Sequence, residues 1–398
     1  MAVSVPDLPI LVINTDTAIL DEPKVDAHLG VIDTGDNSFG DAFSGYDGFI
    51  GIELRGSSSQ LYPKKAYSIE TRDANGEDLD VSLLGLPAES DWVLYAPFSD
   101  KTLIRNAFVY DMARDMGHYA SRHRFVELYL NDSYEGVYVL FEKIKRGKNR
   151  VAIDKVNDEG EGGYLLELES TYHYEHSAYF VSKYEADKAF FFKYPKPDKL
   201  SETQKNHMQT YLDGFEAALY GDDFKNPEKG YAPFIDQASF IDYILISEVF
   251  KNRDFFRRSA FLYKDKEGIL HLGPVWDFNI SLGNDESAIG SEEGFLLRER
   301  GFWGGRLLED AAFKEAFITR YQDLRQTLWR DAIILERLTE MARQLGDAKL
   351  RNFERWQILG HYVYPNSFVG ETYEEELDYL LMWLLVRLEW VDEHIDEL

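Results

Sequence analysis

The sequence predicts an α+β protein in two parts, a β-rich N-terminal lobe over residues 1–195 and a mainly helical C-terminal lobe over residues 196–398. Three observations predict it. Short apolar segments, several alternating with a two-residue period and separated by Gly, Asn, Asp and Ser, recur as far as Leu168. From Ser201 onward the apolar spacing changes to three and four residues, the period of helices. A chain of 398 residues, 44% of them apolar, also has enough apolar surface for two cores.

The strands come first. Leu8–Asn14 opens the chain, Ala27–Asp33 is its expected neighbour, and Phe49–Arg55 follows. Arg55 runs into Gly56-Ser57-Ser58-Ser59, where small residues with unhindered amides and hydroxyls suit close approach to phosphate oxygens. Pro63-Lys64-Lys65 then leads into a strand at Ala66–Ile69; on these residues alone, an ordinary hairpin with solvated lysines explains the pattern as well. A helix is expected from Asp100 to Gly117, with Thr102 as cap. Phe125–Leu130 and Gly136–Glu142 form a hairpin about Asn131–Glu135, with Val137, Val139 and Phe141 on one face and Tyr138, Leu140 and Glu142 on the other. A carboxylate on a face shared with Leu140 requires either a cationic partner or a proton. Lys145–Arg150 is a basic run of the kind that is usually a solvated loop, and Gly162–Leu168 is a further strand.

The second half begins with the capping-box pattern Ser201-x-x-Gln204 and the apolar stripe Met208, Tyr211, Leu212, Phe215, Ala218, Leu219. After the Asn226–Gly230 loop, Phe240 to Phe250 repeats with helical spacing behind an Asp236 cap, which leaves Asp254 just past the helix end. Ser259–Lys264, the turn Asp265–Gly268 and Ile269–Leu272 read as a hairpin whose second strand ends at Pro274 and delivers Asp277 to the next loop. Glu292–Gly305, glycine-rich and charged, is expected as a surface excursion, followed by helices over Arg306–Leu328, Arg330–Leu345 and Tyr373–Ile395.

Composition narrows the partners. With 43 Lys and Arg against 71 Asp and Glu, the net charge is −28, which repels nucleic-acid phosphates and anionic lipid and attracts basic segments. No cysteine is present, so disulfides, thiolate metal sites and cysteine nucleophiles are absent. The longest apolar run, Tyr379–Val386, falls far short of the roughly 20 residues a membrane span requires. Neither a Gly-x-Ser-x-Gly elbow, an HExxH helix nor a Walker lysine loop occurs, and His173 and His176 lack a third ligand. A pair of glycosidase carboxylates is compatible with so acidic a chain, but it gives no reason for Gly56–Ser59, Lys65 and Glu142.

A carboxylate on a helix-end loop, followed by another after a short hairpin, is the order in which protein kinases place the group that orients the acceptor hydroxyl and the group that binds magnesium. Neither His-Arg-Asp nor Asp-Phe-Gly is present. Asn252-x-Asp254, Leu262–Gly268, Gly273-Pro-Val-Trp-Asp-Phe278 and Leu282-Gly-Asn284 nevertheless resemble the CotH kinase family of spore-coat-protein-H-like atypical kinases. Arg55–Ser59, Pro63–Tyr67, Trp92–Leu94 with Asp100–Arg105, Asn131-x-x-Tyr-Glu-Gly136 and Tyr138–Ile144 resemble it as well. The likeness runs from about Leu8 to Asn284 and fades after Gly301.

The resemblance implies a two-lobed, atypical protein-kinase-like fold that uses ATP with Mg2+ or Mn2+. It places the phosphates under Arg55, Gly56, Ser57, Ser58 and Ser59 and against Lys65, with Lys64 in reserve, and pairs that lysine with Glu142. Asp277, helped by Asn279, would hold the metal, and Asp254 would orient or deprotonate a Ser or Thr hydroxyl. From their place at the end of the last strand predicted for the β-rich lobe, Glu167 and Glu169 are expected near the junction between the lobes, in reach of nucleotide or metal. The acceptor it implies is a protein, and the charge of the chain favours a basic one. One departure stands out: the family usually has aspartate where this chain has Asn279. That opens a second reading, a catalytically inactive kinase-fold binding module of a surface or coat assembly, and a third is transfer of the nucleotide moiety. The N-terminal Met-Ala-Val-Ser-Val-Pro-Asp lacks a signal-peptide core, which fits a cytoplasmic protein or a mature exported domain. The resemblance favours an extracellular or surface location, and the oligomeric state is open.

Overall fold

A computed structural model of the protein describes residues 7–170 and 178–398. Its chain divides into two compact units that interleave along the sequence: Met1–Phe108 with Ser121–Lys143 and Leu335–Leu381, and Val109–Ala120 with Ile144–Ile334 and Met382–Leu398. A single cut at residue 195 therefore does not separate them. The strands after Ile144 pair among themselves, and a late segment returns to the first unit.

The first unit is a closed barrel. Its strands are β1 (Ile10–Asn14), β2 (Val25–Ile32), β3 (Asp47–Arg55), β4 (Ala66–Arg72), β5 (Asp91–Tyr95), β6 (His123–Leu130) and β7 (Ser133–Glu142), in the order β1-β2-β3-β4-β5-β7-β6, and β1 closes the ring by pairing in parallel with β6. Closure removes the exposed edges that an open sheet must protect. The alternation predicted for β7 holds. Tyr138 and Leu140 join Ile50, Ile52, Ile69, Trp92, Leu94 and Leu128 in the barrel core. The β6–β7 turn is tighter than predicted, since Asn131 and Asp132 both take positive φ (47° and 63°), the geometry of a two-residue primed turn.

Helix α1 (Arg105–Asp115) starts five residues later than predicted. Leu103, at φ 66°, breaks the expected first turn. Asp100, not Thr102, receives the Arg105 amide (2.9 Å), and its other oxygen takes the Arg105 guanidinium and the Thr102 hydroxyl, both at 2.6 Å. This buried node is fastened to the late segment: Lys101 donates to the His361 carbonyl (2.7 Å) and Tyr373 Oη to the Thr102 carbonyl (3.1 Å).

An unpredicted helix, α8 (Ala348–Arg355), lies against β7. Arg351 grips Glu127 with two bonds (2.9 and 2.6 Å), and Trp356 Nε1 donates to the Glu135 carbonyl (2.8 Å). The Asn352 side-chain oxygen accepts from both Val137 N (3.0 Å) and Lys64 Nζ (2.8 Å). Gly136 permits this approach, because a Cβ there would lie 2.5 Å from that oxygen.

The second unit holds an antiparallel sheet of β8 (Tyr164–Ser170), β9 (Tyr179–Val181), β10 (Lys188–Tyr194), β11 (Ala260–Lys264) and β12 (Leu270–Leu272), ordered β12-β11-β8-β10-β9. The β11–β12 hairpin was predicted, but β9 and β10 were not. Helix α2 (Glu202–Tyr220) carries the predicted capping box, with Ser201 and Gln204 bonding reciprocally, and α3 (Gln237–Val249) starts at Asp236, whose carboxylate accepts the Ser239 amide at 2.7 Å.

The expected surface excursion over Glu292–Gly305 contains α4 (Leu296–Arg300) and the start of α5 (Phe302–Leu308) instead. Trp303 there is fully buried, stacks on Phe190 and donates to the Glu216 carboxylate at 3.0 Å. Helices α6 (Ala311–Gln326), α7 (Asp331–Gln344) and α9 (Tyr373–His394) match the last three predicted, each shorter at one or both ends. Asp242 of α3 accepts from Arg320 Nε (2.8 Å) and lies 2.7 Å from His118 Nε2. The basic run is not solvated throughout: Arg150 is buried, and the Arg146 guanidinium lies 5.0 Å from the Tyr194 ring centre. His173 and His176 lie outside the described residues. Among those described, no helix is long and apolar enough to cross a membrane.

Candidate active site

The second unit brings its two aspartate loops together. Beyond α3, the Asn252 side chain accepts the Asp254 amide at 2.9 Å, and the Asp254 carbonyl takes the amides of Arg257 and Arg258. This tight turn holds the Asp254 carboxylate, with 14% of its side chain exposed, 3.6 Å from Arg258 Nε. Glu169 braces the turn by accepting the Ser259 amide (3.2 Å), and Glu167 pairs with Lys193 (2.9 Å).

The second loop leaves β12 through Gly273 and Pro274. Trp276 stacks on Tyr110, with ring centres 5.6 Å apart, and Tyr110 Oη accepts the Asp277 amide at 3.1 Å. These contacts hold Asp277 at φ 64°, a sparsely populated region that costs about 1–3 kcal/mol for a non-glycine residue and persists only where the surroundings enforce it. The loops are bonded to each other. Leu282 N donates to the Phe250 carbonyl (2.9 Å), and Arg253 Nη1 lies 3.5 Å from Asp285 Oδ1.

Between the two ends of the second loop, Asn284 Nδ2 donates to the Asn279 carbonyl (2.8 Å), while the Asn279 side-chain oxygen is buried with no hydrogen-bond partner among the described residues. Burying an unpartnered acceptor costs about 1–3 kcal/mol, so this oxygen is poised for a donor or a cation. Asp277 and Asn279 supply the hard oxygen donors that magnesium takes, usually one or two from protein with the rest from phosphate and water. Among the described residues, no group of three or more His, Asp or Glu side chains forms a metal cage. The donor set fits a metal shared with a phosphate ligand.

The barrel unit departs from expectation. Gly56 takes φ 100°, and a Cβ there would lie 2.0 Å from Ser59 Oγ, so the turn after Arg55 requires glycine. Lys65 closes this loop on itself, donating to the carbonyls of Gln60 (2.6 Å) and Tyr62 (2.7 Å). Lys64 is buried on Val137 and Asn352, and burial pushes its ammonium well below the usual lysine range.

Glu142 is fully buried and is held by Arg122 through Nε (2.8 Å), Nη2 (2.6 Å) and the backbone amide (3.1 Å). The expected Lys65–Glu142 pair is thus not formed, and the Lys64 ammonium is taken up by the Val137 carbonyl and the Asn352 amide oxygen. The reason lies in the ladder. His123 pairs with Phe141, which sets Arg122 beside Glu142, whereas the Lys65 ammonium finds carbonyls three and five residues back.

A cation that the sequence reading passed over is Lys143, the next residue of the same motif. Its ammonium is 3.2 Å from Asp91; burial foremost lowers its pKa, Asp91 opposes that, and the nearby charges of Lys24 and Arg55 add to the lowering. Its place beside Glu142 in the Tyr138–Ile144 motif was the available signal.

The family model for the CotH kinase protein matches residues 52–391. The chain belongs to the CotH kinase family. A comparison with curated proteins found no match. The CotH match begins at Ile52, not near Leu8, and continues past Gly301, where the sequence likeness was expected to fade, through α4 to α8 and most of α9. CotH membership suggests a kinase-like function, and kinases as a class use ATP and a divalent metal.

Proposed function

We propose that this CotH-family protein is an ATP-dependent protein kinase that transfers the γ-phosphoryl group to a Ser or Thr hydroxyl of a basic protein. One observation carries the reading: the Asp254 and Asp277 loops are bonded to each other, and the second presents a strained aspartate and a buried amide oxygen with no partner among the described residues. Strain and unsatisfied acceptors cluster at functional sites. A magnesium ion held by Asp277 and Asn279 would neutralise charge on the transferring phosphate. Asp254 orients the acceptor hydroxyl and receives its proton as the new P–O bond forms and the bond to the β-phosphate breaks, releasing ADP. Positioning provides most of the catalysis in such a transfer. In the barrel unit, Lys143 and Arg55 take the anion-binding role expected of Lys64 and Lys65.

The net charge of −28 supports a basic acceptor, and the family's link to the spore coat supports a surface or coat protein as that acceptor. The alternative, an inactive binding module, draws on Asn279, which brings one negative charge fewer to the metal than aspartate does. Calorimetric titration with Mg-ATP and with Mn-ATP separates the two, since absence of binding with either ion leaves only the module. Transfer of labelled phosphate to a synthetic Lys- and Ser-rich peptide, abolished in Asp277→Ala, is the expected result. Mass spectrometry of the peptide reveals a nucleotidyl adduct if that is the group transferred.

A further inference from the structure

We infer that Asp285 is a built-in acidic partner for Arg253 and positions the two aspartate loops without any modification of the chain. The inference rests on the kinase reading above and goes beyond it to regulation. In kinases, the arginine that precedes the catalytic aspartate belongs to the catalytic loop, and many kinases order the segment following the metal-binding aspartate by phosphorylating it, which creates arginine–phosphate pairs. Here Asn252-Arg253-Asp254 puts an arginine in the corresponding place, and the Asp285 carboxylate, in the segment that follows Asp277, already lies beside it.

Several features mark Asp285 as part of the structure rather than a surface acid. It is 2% exposed. Its Oδ1 accepts the Ser287 amide at 3.0 Å and lies 3.5 Å from Arg253 Nη1. The chain wraps it closely, since a Cβ at Gly290 would meet the Asp285 carbonyl at 2.0 Å. Its Oδ2 is buried with no hydrogen-bond partner among the described residues, which leaves acceptor capacity on the side chain that faces a forked donor. A buried carboxylate of this kind needs its cation. The Leu282–Phe250 backbone bond joins the same two loops as the ion pair, so a shift of one loop is felt by the other. Asp285 acts through Arg253 as a positioning residue and is assigned no contact with substrate or metal.

The test compares wild type with Asp285→Asn and, because a buried substitution can impair folding, with Arg253→Gln at the more exposed end of the pair. Transfer from Mg-ATP to the Lys- and Ser-rich peptide is measured per folded molecule, with the Kd for Mg-ATP and hydrogen exchange at residues 250–258 and 277–290. The expected result is a fall in kcat on the order of 10- to 100-fold with Kd nearly unchanged, the size of a misplaced catalytic group. Faster exchange in both loops and full activity of phosphatase-treated wild type complete it. An unchanged kcat per folded molecule, or loss of wild-type activity on phosphatase treatment, overturns the inference. If wild type neither binds Mg-ATP nor transfers phosphate, the kinase reading falls by itself. The exchange data then decide the coupling: faster exchange at 250–258 in Asp285→Asn supports it, and unchanged exchange overturns it.

Discussion

In the barrel unit, the charged residues of the family motifs are engaged inward: Lys65 on its own loop, Lys64 on α8, Glu142 on Arg122, and Asp100 on Arg105. In the second unit, the motif loops are held mainly by backbone bonds and ring stacking, which leaves Asn279 and Asp285 each with a buried oxygen lacking a partner among the described residues. Residue type and spacing look alike in the two sets. What separates the residues named is whether an acceptor oxygen is left over, and on the proposed function that would mark which motif braces and which one binds.

The comparison breaks most clearly on paired substitutions. On the proposed function, Asp277→Ala would remove a metal contact worth several kcal/mol, so labelled-phosphate transfer should fall by on the order of 10³-fold or more. Lys65→Ala should weaken calorimetric Mg-ATP binding by less than about 10-fold, within one 1.4 kcal/mol step, and Lys143→Ala should weaken it more. A reversed order of the two lysines would return the phosphate role to Lys65.

Stability sharpens the contrast. Glu142→Gln should cost about 2 kcal/mol in urea unfolding, less than the roughly 3–5 kcal/mol of a fully buried broken pair, because Arg122 keeps 34% of its side chain exposed. Lys64→Met takes a donor from the Val137 carbonyl and from Asn352 and should cost about 1–3 kcal/mol. An unchanged midpoint in both would mean that these contacts do not hold the barrel.

The smallest effect is one of pH. Burial raises the Asp242 carboxyl, but the bonds to His118 and Arg320 outweigh it and leave the pKa below the ordinary aspartate value. A depressed acid stabilises the fold above its unfolded pKa of about 3.9 and loses that contribution as pH falls through the folded value. Wild type should therefore exceed Asp242→Asn in stability near neutrality, and the gap should close below about pH 4 in thermal melts. A gap that persists there would point to a loss of packing instead.

Much of the fold was legible where the signal is local. The Asp236 cap and the spacing from Phe240 define α3, the Ser201–Gln204 box defines the start of α2, and alternation with a turn defines both the β6–β7 and the β11–β12 hairpins. Elements that depend on distant partners were not. Helix α8 is short and owes its position to Glu127, Lys64 and Gly136. Strands β9 and β10 lie in a stretch rich in Phe, Tyr and charge, and α5 is anchored by Trp303 within glycine-rich sequence. At the candidate site, the order Asp254, hairpin, Asp277 could be read directly. The partner of Glu142 could not, because strand register sets it.

The return of α8 to the barrel has a consequence for biosynthesis. All seven barrel strands leave the ribosome by Glu142, yet Arg351, Asn352 and Trp356 arrive only after Ile144–Ile334 has been made. Until then Glu127 lacks its arginine and Lys64 its amide. The nascent barrel must wait, incompletely fastened, while most of the second unit is translated.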